Sequence, residues 1–198
     1  MKLILASSSP RRQKLLQRLN LPFNIILPNV NESALAKDRS PEKYCISLAE
    51  MKASNISQHY PNSMIIGADT IVVLDDQILG KPDNRIQAEA MLKTLSGKTH
   101  HVYTGVCLKW AEIKMHHLFA EISMVTFREL DERDIQYYIA TCPPYDKAGS
   151  YGIQDWSTIF VERISGCYDN VVGFPLSRFY QELKKLGINL LDTISETP

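Results

Sequence analysis

The feature that most constrains this chain is a short N-terminal segment in which an apolar run leads directly into a helix start. Residues 3–6 are Leu-Ile-Leu-Ala, and they are followed by Ser7–Ser9, Pro10, Arg11 and Arg12. Proline is well suited to the first turn of a helix, where its missing N–H costs nothing, and a preceding serine can cap the free amides. The segment therefore predicts a buried strand that passes into a helix.

The junction between this strand and helix is suited to hold an anion. Free amides, serine hydroxyls and the guanidinium groups of Arg11 and Arg12 would converge there, which favours a group such as a polyphosphate. Ligands of α/β proteins also collect at the carboxyl ends of strands. The alternative is an ordinary helix cap followed by solvated arginines, and this segment alone leaves both open.

Composition narrows the class of protein. With 198 residues, the chain is long enough for one domain, and 22 basic residues balance 22 acidic ones. No overall positive field would recruit nucleic acid, so phosphate recognition must be local. No apolar run reaches the ~18 residues of a membrane span, and the N-terminal run is too short for a signal peptide. The cysteines are scattered without zinc-like spacing, so we expect a cytoplasmic protein.

The spacing of apolar residues predicts a mixed α/β sheet with helices on both sides. Strands and helices alternate in the first half, and two long runs in the middle suit an antiparallel pair. The predicted helices cover residues 10–19, 41–59, 84–96, 131–140 and 175–186. The predicted strands cover residues 3–6, 23–27, 64–74, 101–110, 117–127 and 158–164.

The apolar run over residues 64–74 contains a carboxylate, Asp69, followed by Thr70 and preceded by Gly67. An ionised group in such a strand is costly unless a metal or a cation accompanies it. Asp69 is thus a candidate metal ligand or general base. The alternative is a strand break at which Asp69 accepts hydrogen bonds from nearby backbone amides.

Further candidate residues carry weaker local signals. Lys52 lies four residues after Leu48, close to the buried stripe of its helix, so its stem can pack on the core while its charge reaches a cleft. Lys81 sits in a tight loop. A lysine there could bind a ligand, but most loop lysines are simply solvated. Glu32 cannot be told from a surface carboxylate. Gln154 could read a base edge, because an amide both donates and accepts.

Two sequence patterns suggest sites that their context excludes. Ser96–Thr99 ends like a P-loop, but position 92 is leucine rather than glycine and the segment follows a helix. Gly97 is better explained as a helix C-cap. The histidine pairs at 100–101 and 116–117 are adjacent residues in strand-like runs, so each pair points to opposite faces and cannot chelate one ion.

Several short motifs occur in a fixed order along the chain. They are Ser7–Arg12, Gly67–Thr70, Gly80–Pro82, Ser96–His100, Asp146–Gly149, Tyr151–Gln154 and Val171–Pro175. Together they resemble the Maf-type proteins, which are nucleoside triphosphate pyrophosphatases also called septum formation inhibitors. The resemblance runs from residue 3 to about residue 187.

The resemblance implies a single Maf-like domain over residues 1–198 with an inosine-triphosphate-pyrophosphatase-like fold. In that fold an elongated mixed sheet is flanked by helices, and two lobes surround a cleft. The implied enzyme is cytoplasmic, commonly a homodimer, and uses Mg²⁺ or Mn²⁺. The balanced charge and the lack of a long apolar run predict that it binds neither nucleic acid nor a membrane. It cleaves a nucleoside triphosphate between the α and β phosphates.

The resemblance also implies roles for individual residues. Asp69 would accept the proton of the attacking water, and Glu32 and Asp69 would hold the metal. The triphosphate would be bound by Ser8, Arg12, Lys52 and Lys81. These roles agree with the needs of in-line attack on phosphorus, which are a base, a metal and cations on the leaving pyrophosphate.

Three positions separate the branches of the resembled family. Arg11, Thr70 and Gln154 match the branch that acts on dTTP and UTP, whereas the branch for 7-methylated guanosine triphosphate carries tryptophan, glutamine and glutamate there. Two positions depart from the family pattern: Pro143 replaces a loop carboxylate, and Asp155 replaces a glycine.

Two alternative functions remain. The protein could be a nucleotide-binding regulator of cell division with little turnover, or a purely structural interaction protein.

Overall fold

The computed structural model describes residues 2–36 and 40–190. Within them the chain forms six α-helices and seven strands. The helices are α1 (Pro10–Gln17), α2 (Pro41–Ser57), α3 (Arg85–Leu95), α4 (Glu132–Thr141), α5 (Tyr168–Val172) and α6 (Leu176–Lys185). The strands are β1 (Lys2–Ala6), β2 (Asn24–Ile25), β3 (Ser63–Leu74), β4 (Gln77–Leu79), β5 (Thr99–Trp110), β6 (Met115–Phe127) and β7 (Val161–Ser165). Short 3₁₀ helices cover Glu32–Ala34, Ala148–Ser150 and Trp156–Phe160.

All five predicted helices are confirmed, and their starts follow from local capping. The Ser9 hydroxyl accepts from the Arg12 amide at 3.4 Å, and the Ser40 hydroxyl accepts from the Lys43 amide at the same distance. In both helices proline occupies the next position. Gly97 follows α3 with a φ of 67°, a left-handed conformation that confirms its predicted role as a helix terminator.

The prediction of a strand over residues 158–164 is wrong in its first part. Trp156 and Phe160 lie in a 3₁₀ helix, and their ring centroids are 5.7 Å apart. An extended chain would separate residues four positions apart by roughly 13 Å, so this ring contact requires a helical turn. Neither β4 nor α5 was predicted, because both are too short to show a period.

The strands form one mixed sheet in the order β2-β1-β3-β5-β6-β7, with β4 paired to β3. β1 runs parallel to β2 and β3, whereas β3–β4 and β6–β7 are antiparallel. The predicted mixed α/β class is therefore confirmed. Ala6 pairs with Gly67, so the chain leaves β1 beside the part of β3 that carries Asp69.

The chain contains two compact units. Of the described residues, the first combines those up to Asp69 with Thr104–Glu121 and those from Gly173 to Leu190. Its core contains a cluster of buried side chains from β1, α2, β3 and β5. The members of this cluster are Ile4, Ala6, Ala49, Ala53, Ile56, Ile65 and Cys107.

Within the first unit, α2 lies directly on β3. A Cβ atom at Gly67 would stand 2.1 Å from the Ala49 carbonyl oxygen and 2.8 Å from the Ala53 amide nitrogen. Glycine is therefore required here for the close approach of the two backbones. The contact fixes α2 against the strand segment that leads to Asp69.

The second unit consists of Thr70–Tyr103 and Ile122–Val172. Its core is aromatic, and Phe127, Tyr151 and His100 are in edge-to-face contact. The His100 ring nitrogen Nε2 lies 2.8 Å from the Tyr151 hydroxyl, and burial lowers the pKa of His100 to about 4. His100 is thus a neutral core residue at physiological pH.

No helix in residues 2–36 and 40–190 is long and apolar enough to cross a membrane.

Candidate active site

The first unit contains a cluster of charged side chains centred on Lys52. Its Nζ lies 2.5 Å from Asp69 Oδ1 and 2.9 Å from Glu32 Oε1. The side chains of Lys52 and Asp69 are only 10% and 13% exposed, whereas that of Glu32 is 45% exposed. One ammonium group therefore joins two carboxylates at a largely buried position.

Three different elements supply these side chains. Lys52 lies on α2 near Leu48 and Ala49, whose side chains are buried, so its stem follows the buried face and its amine reaches beyond it. Asp69 follows Gly67 on β3, and Glu32 begins a 3₁₀ helix. The predicted burial of the Lys52 stem is thus found.

The carboxylates act on their neighbours as negative charges. Burial raises the pKa of Tyr44, and the charges of Asp69 and Glu32 raise it further. Burial, assisted by Asp69, raises the pKa of the Cys45 thiol to about 12. Because a protonated thiol is a poor nucleophile, Cys45 is not a candidate nucleophile.

Arg12 lies in the same electrostatic environment and is firmly oriented. Its Nε donates to the Gly173 carbonyl at 3.0 Å, and its Nη1 donates to the Ser7 hydroxyl at 2.7 Å. Burial lowers the pKa of Arg12, while the charge of Asp69 opposes that effect. Because guanidinium pKa values are so high, Arg12 remains a cation and can bind an anion.

The three serines of the N-terminal motif differ in burial and in their hydrogen bonds, and the assignment of Ser8 to phosphate binding stays a prediction. Ser8 is exposed, whereas Ser7 is buried and accepts both from Arg12 and from the Ser9 amide, at 3.2 Å in the second case. Ser7 was not singled out as a site residue, and its only signal is its position directly after a buried strand. Arg11 is half-buried.

The other predicted site residues belong to the second unit. Thr70 is half-buried on β3, and Lys81 and Gln154 are exposed. The Gly80 carbonyl accepts from the Gly149 amide at 3.1 Å, so the loop before α3 contacts the segment Asp146–Gly149. The structure therefore groups Arg12, Glu32, Lys52 and Asp69 in the first unit, and Thr70, Lys81 and Gln154 in the second.

The pair of carboxylates fits a divalent cation only in part. Among residues 2–36 and 40–190, no three His, Cys, Asp or Glu side chains are grouped closely enough to hold a metal ion. Glu32 and Asp69 nevertheless converge on one cationic group, the Lys52 amine. Mg²⁺ is commonly bound by one or two carboxylates together with substrate phosphates and water, so these two ligands fit a site that the substrate completes.

Two relatives with known names are similar to this chain over most of its length. The chain is 50% identical over 185 residues to a dTTP/UTP pyrophosphatase from Geobacillus sp. (strain WCH70), covering 93% of this chain and 98% of that one. It is 48% identical over 189 residues to a dTTP/UTP pyrophosphatase from Bacillus cereus (strain AH187), covering 96% and 97%.

A solved structure supports the fold. The structure of a HAM1 protein from Coxiella burnetii has a TM-score of 0.53, with 12% identity, and the match covers 93% of this chain and 99% of that one. The expected fold class is therefore confirmed.

A family model described as Maf-like protein matches residues 2–186. That match spans nearly the whole chain and agrees with the two relatives that are about half identical over almost their full lengths. This chain therefore belongs to the Maf-like protein family.

Proposed function

We propose that this chain is a hydrolase that converts dTTP and UTP to the monophosphate and pyrophosphate. The observation that carries the proposal is the buried arrangement of Asp69 with Lys52, beside the oriented cation Arg12. The names of the two pyrophosphatase relatives, which align over almost their entire length, support the same activity.

In the proposed reaction, Asp69 accepts a proton from the attacking water. The water oxygen forms a bond to the α-phosphorus, and the bond from that phosphorus to the bridging oxygen of the β-phosphate breaks. The electron pair leaves with pyrophosphate, whose added charge requires cations nearby. Arg12 and Lys52 supply them from the first unit, and Lys81 is proposed as a further phosphate ligand together with Ser8.

We propose that Glu32 and Asp69 hold a Mg²⁺ or Mn²⁺ ion that the substrate phosphates help to bind. The ion would spread the negative charge that develops on the phosphate oxygens. The convergence of both carboxylates on the Lys52 amine supports this assignment, because a cation is already favoured at that position.

Base recognition is proposed for Arg11, Thr70 and Gln154. The exposure of Gln154 supports this role, because an exposed amide can reach a base edge. Pro143 and Asp155, which depart from the family pattern, bear on the breadth of substrates. Pro143 is exposed, and the Asp155 carboxylate lies 3.2 Å from Lys147 Nζ.

The cytoplasmic location and the homodimer are proposals that rest on the family resemblance. A free nucleotide rather than a nucleic acid is the proposed partner, because the 22 basic residues are balanced by 22 acidic ones.

The deciding experiment measures the release of pyrophosphate from a panel of common and modified nucleoside triphosphates in the presence of Mn²⁺. An added inorganic pyrophosphatase converts the released pyrophosphate to phosphate, which is then measured. We expect turnover of dTTP and UTP, and a loss of roughly 10²–10⁴-fold in Asp69→Asn with nucleotide binding retained. No release from any triphosphate would refute the proposal. Tight binding without turnover would then favour the regulator of cell division, and no binding would favour a structural protein.

The specificity proposal has a separate test. The double variant Thr70→Gln/Gln154→Glu carries the side chains of the other branch, so we expect it to use dTTP and UTP less well than the original protein. Retention of the original order of substrates would show that these positions do not select the base.

A further inference from the structure

Gln154 lies at the tip of a tight turn in the second unit. The Asp155 amide donates to the Gly152 carbonyl at 2.7 Å, which makes Ile153 and Gln154 the two central residues of a four-residue turn. Ile153 is buried, whereas Gln154 is exposed. The direction in which Gln154 points therefore depends on how the ends of this turn are held.

The first end of the turn is held by Ser157, a buried residue. Its hydroxyl donates to the Gly152 carbonyl at 2.9 Å and accepts from the Gly152 amide at 3.2 Å. Both backbone polar groups of Gly152 are thus satisfied by one side chain three residues beyond Gln154. This end of the turn is fixed to the 3₁₀ helix Trp156–Phe160.

The second end of the turn is held by a lysine from an earlier loop. Lys147 Nζ lies 3.2 Å from Asp155 Oδ2 and 2.8 Å from Asp146 Oδ1. The Lys147 side chain is only 11% exposed, whereas those of Asp155 and Asp146 are 31% and 57% exposed. The ammonium group of this largely buried lysine therefore joins two more exposed carboxylates.

The lysine reaches Asp155 by passing over Gly152. A Cβ atom at Gly152 would stand 2.8 Å from Lys147 Cε and 2.8 Å from Asp155 Oδ2. The absence of a side chain at this position is what allows the stem of Lys147 to lie against the turn. The ion pair of Lys147 with Asp155 thus lies directly against Gly152, in the same turn that presents Gln154.

We propose that Lys147 and Asp155 are positioning residues that fix Gln154 for recognition of the nucleotide base. The inference rests on the proposed function, because it concerns the selectivity of the same site. Lys147 acts through Asp155 and the turn, and the bound nucleotide is contacted by Gln154. An ion pair held over a short turn restricts the conformations available to its central residues, and such preorganisation strengthens binding.

The kinetic test compares Lys147→Met and Asp155→Asn with Lys93→Met, a matched control. Lys93 belongs to the same unit and also pairs with two carboxylates, Glu89 and Glu132, but its side chain is 48% exposed. We expect the first two variants to raise the KM for dTTP about fivefold and to reduce the preference for dTTP over dCTP similarly, with kcat changed less than about twofold. Lys147→Arg should retain the original values, and the control should match the original protein.

A third comparison shows whether Lys147 acts through Gln154. In a Gln154→Ala background, Lys147→Met should cause no further loss of base preference, because the contact that it positions is already gone. An additional loss in that background, or an equal fall in kcat for every nucleotide, would overturn the proposal and indicate direct contact of Lys147 with the substrate.

Amide hydrogen exchange supplies a measurement that does not depend on catalysis. The Asp155 amide should exchange about tenfold faster in Lys147→Met than in the original protein, and Lys93→Met should leave it unchanged. Unchanged exchange would overturn the proposal. If the protein hydrolyses no triphosphate, the proposed function fails, but exchange at Asp155 still decides whether the ion pair orders the turn.

Discussion

The ammonium nitrogen of Lys52 lies 2.5 Å from Oδ1 of Asp69, although the two residues belong to a helix and a strand. Both side chains are largely buried, and Glu32 contacts the same ammonium from a more exposed position. In low-dielectric surroundings such contacts are strong, but each charge depends on its partner to offset the cost of burial. The packing of α2 on β3 and the position of the Asp69 carboxylate are therefore coupled.

Replacement of Lys52 by methionine tests this coupling. The variant leaves the Asp69 and Glu32 carboxylates facing each other, so we expect the free energy of unfolding to fall by about 2–4 kcal/mol. Urea unfolding would measure the loss. Added Mn²⁺ should restore more stability to Lys52→Met than it adds to the original protein, because the ion would take the place of the lost ammonium group. An equal gain in both proteins would argue that the ion and the Lys52 amine do not share one position.

Replacement of Ser7 by alanine tests the orientation of Arg12. The change removes a buried acceptor of the guanidinium, so we expect a loss of about 1–3 kcal/mol of stability and a higher KM for dTTP. Thermal unfolding of Ser8→Ala is the control, because Ser8 is exposed and its removal should leave the melting temperature unchanged. Equal melting temperatures for the two variants would contradict the assignment.

A methyl group at Gly67 should separate α2 from β3. The added Cβ would meet the Ala49 carbonyl oxygen at 2.1 Å, and backbone atoms cannot move aside cheaply, so we expect Gly67→Ala to cost about 3 kcal/mol or more. Gly80→Ala is the matched control, because a Cβ there meets nothing within 4 Å. Chemical denaturation of both variants decides the matter, and similar midpoints would show that the close approach is not needed.

Glu182 provides a prediction for acid pH. It is buried on α6, where His117 Nε2 lies 2.8 Å from its Oε2, and Lys185 and Arg178 lie 2.8 and 2.7 Å from its Oε1. Burial raises the pKa of Glu182, but hydrogen bonds from Lys185 and His117 outweigh burial and lower the pKa to about 2.

Because this pKa is depressed in the folded state, its stabilising effect is complete above pH ~4.5 and disappears as the pH falls toward 2. Each tenfold change in proton affinity is worth ~1.4 kcal/mol, so Glu182→Gln should be less stable by about 3 kcal/mol at pH 7. Urea unfolding between pH 2 and 7 should show the two proteins converging in acid. A constant difference across that range would rule out the ionised carboxylate as the cause.

Local chemistry explains which parts of the fold were predictable. Ser9 and Ser40 each precede a proline and cap a helix, so α1 and α2 could be located from a few neighbouring residues. The turn of 3₁₀ helix before β7 could not, because it depends on the contact of Trp156 with Phe160 and of Phe160 with Tyr138. The contact with Tyr138 joins residues that are distant in the chain, and such a tertiary contact can override local strand propensity.

The same distinction applies to the site. Asp69 could be singled out because a charge inside an apolar strand is costly, and Lys52 because it lies beside a buried helical stripe. The contact of Glu32 with Lys52 has no local pattern, since a 3₁₀ helix carries the carboxylate. The Gly173 carbonyl that orients Arg12 is 161 residues away in the chain, and no spacing rule connects the two.

The charges of Arg12, Lys52, Glu32 and Asp69 cancel one another, as do the 22 basic and 22 acidic residues of the whole chain. Before a metal ion is bound, a highly charged nucleotide approaching through water therefore meets little long-range attraction from these four side chains, because steering requires an excess of one sign. Its capture should be governed by ordinary diffusion and vary little with ionic strength. Discrimination among the many anionic metabolites of a cell would then begin only once the nucleotide touches the protein.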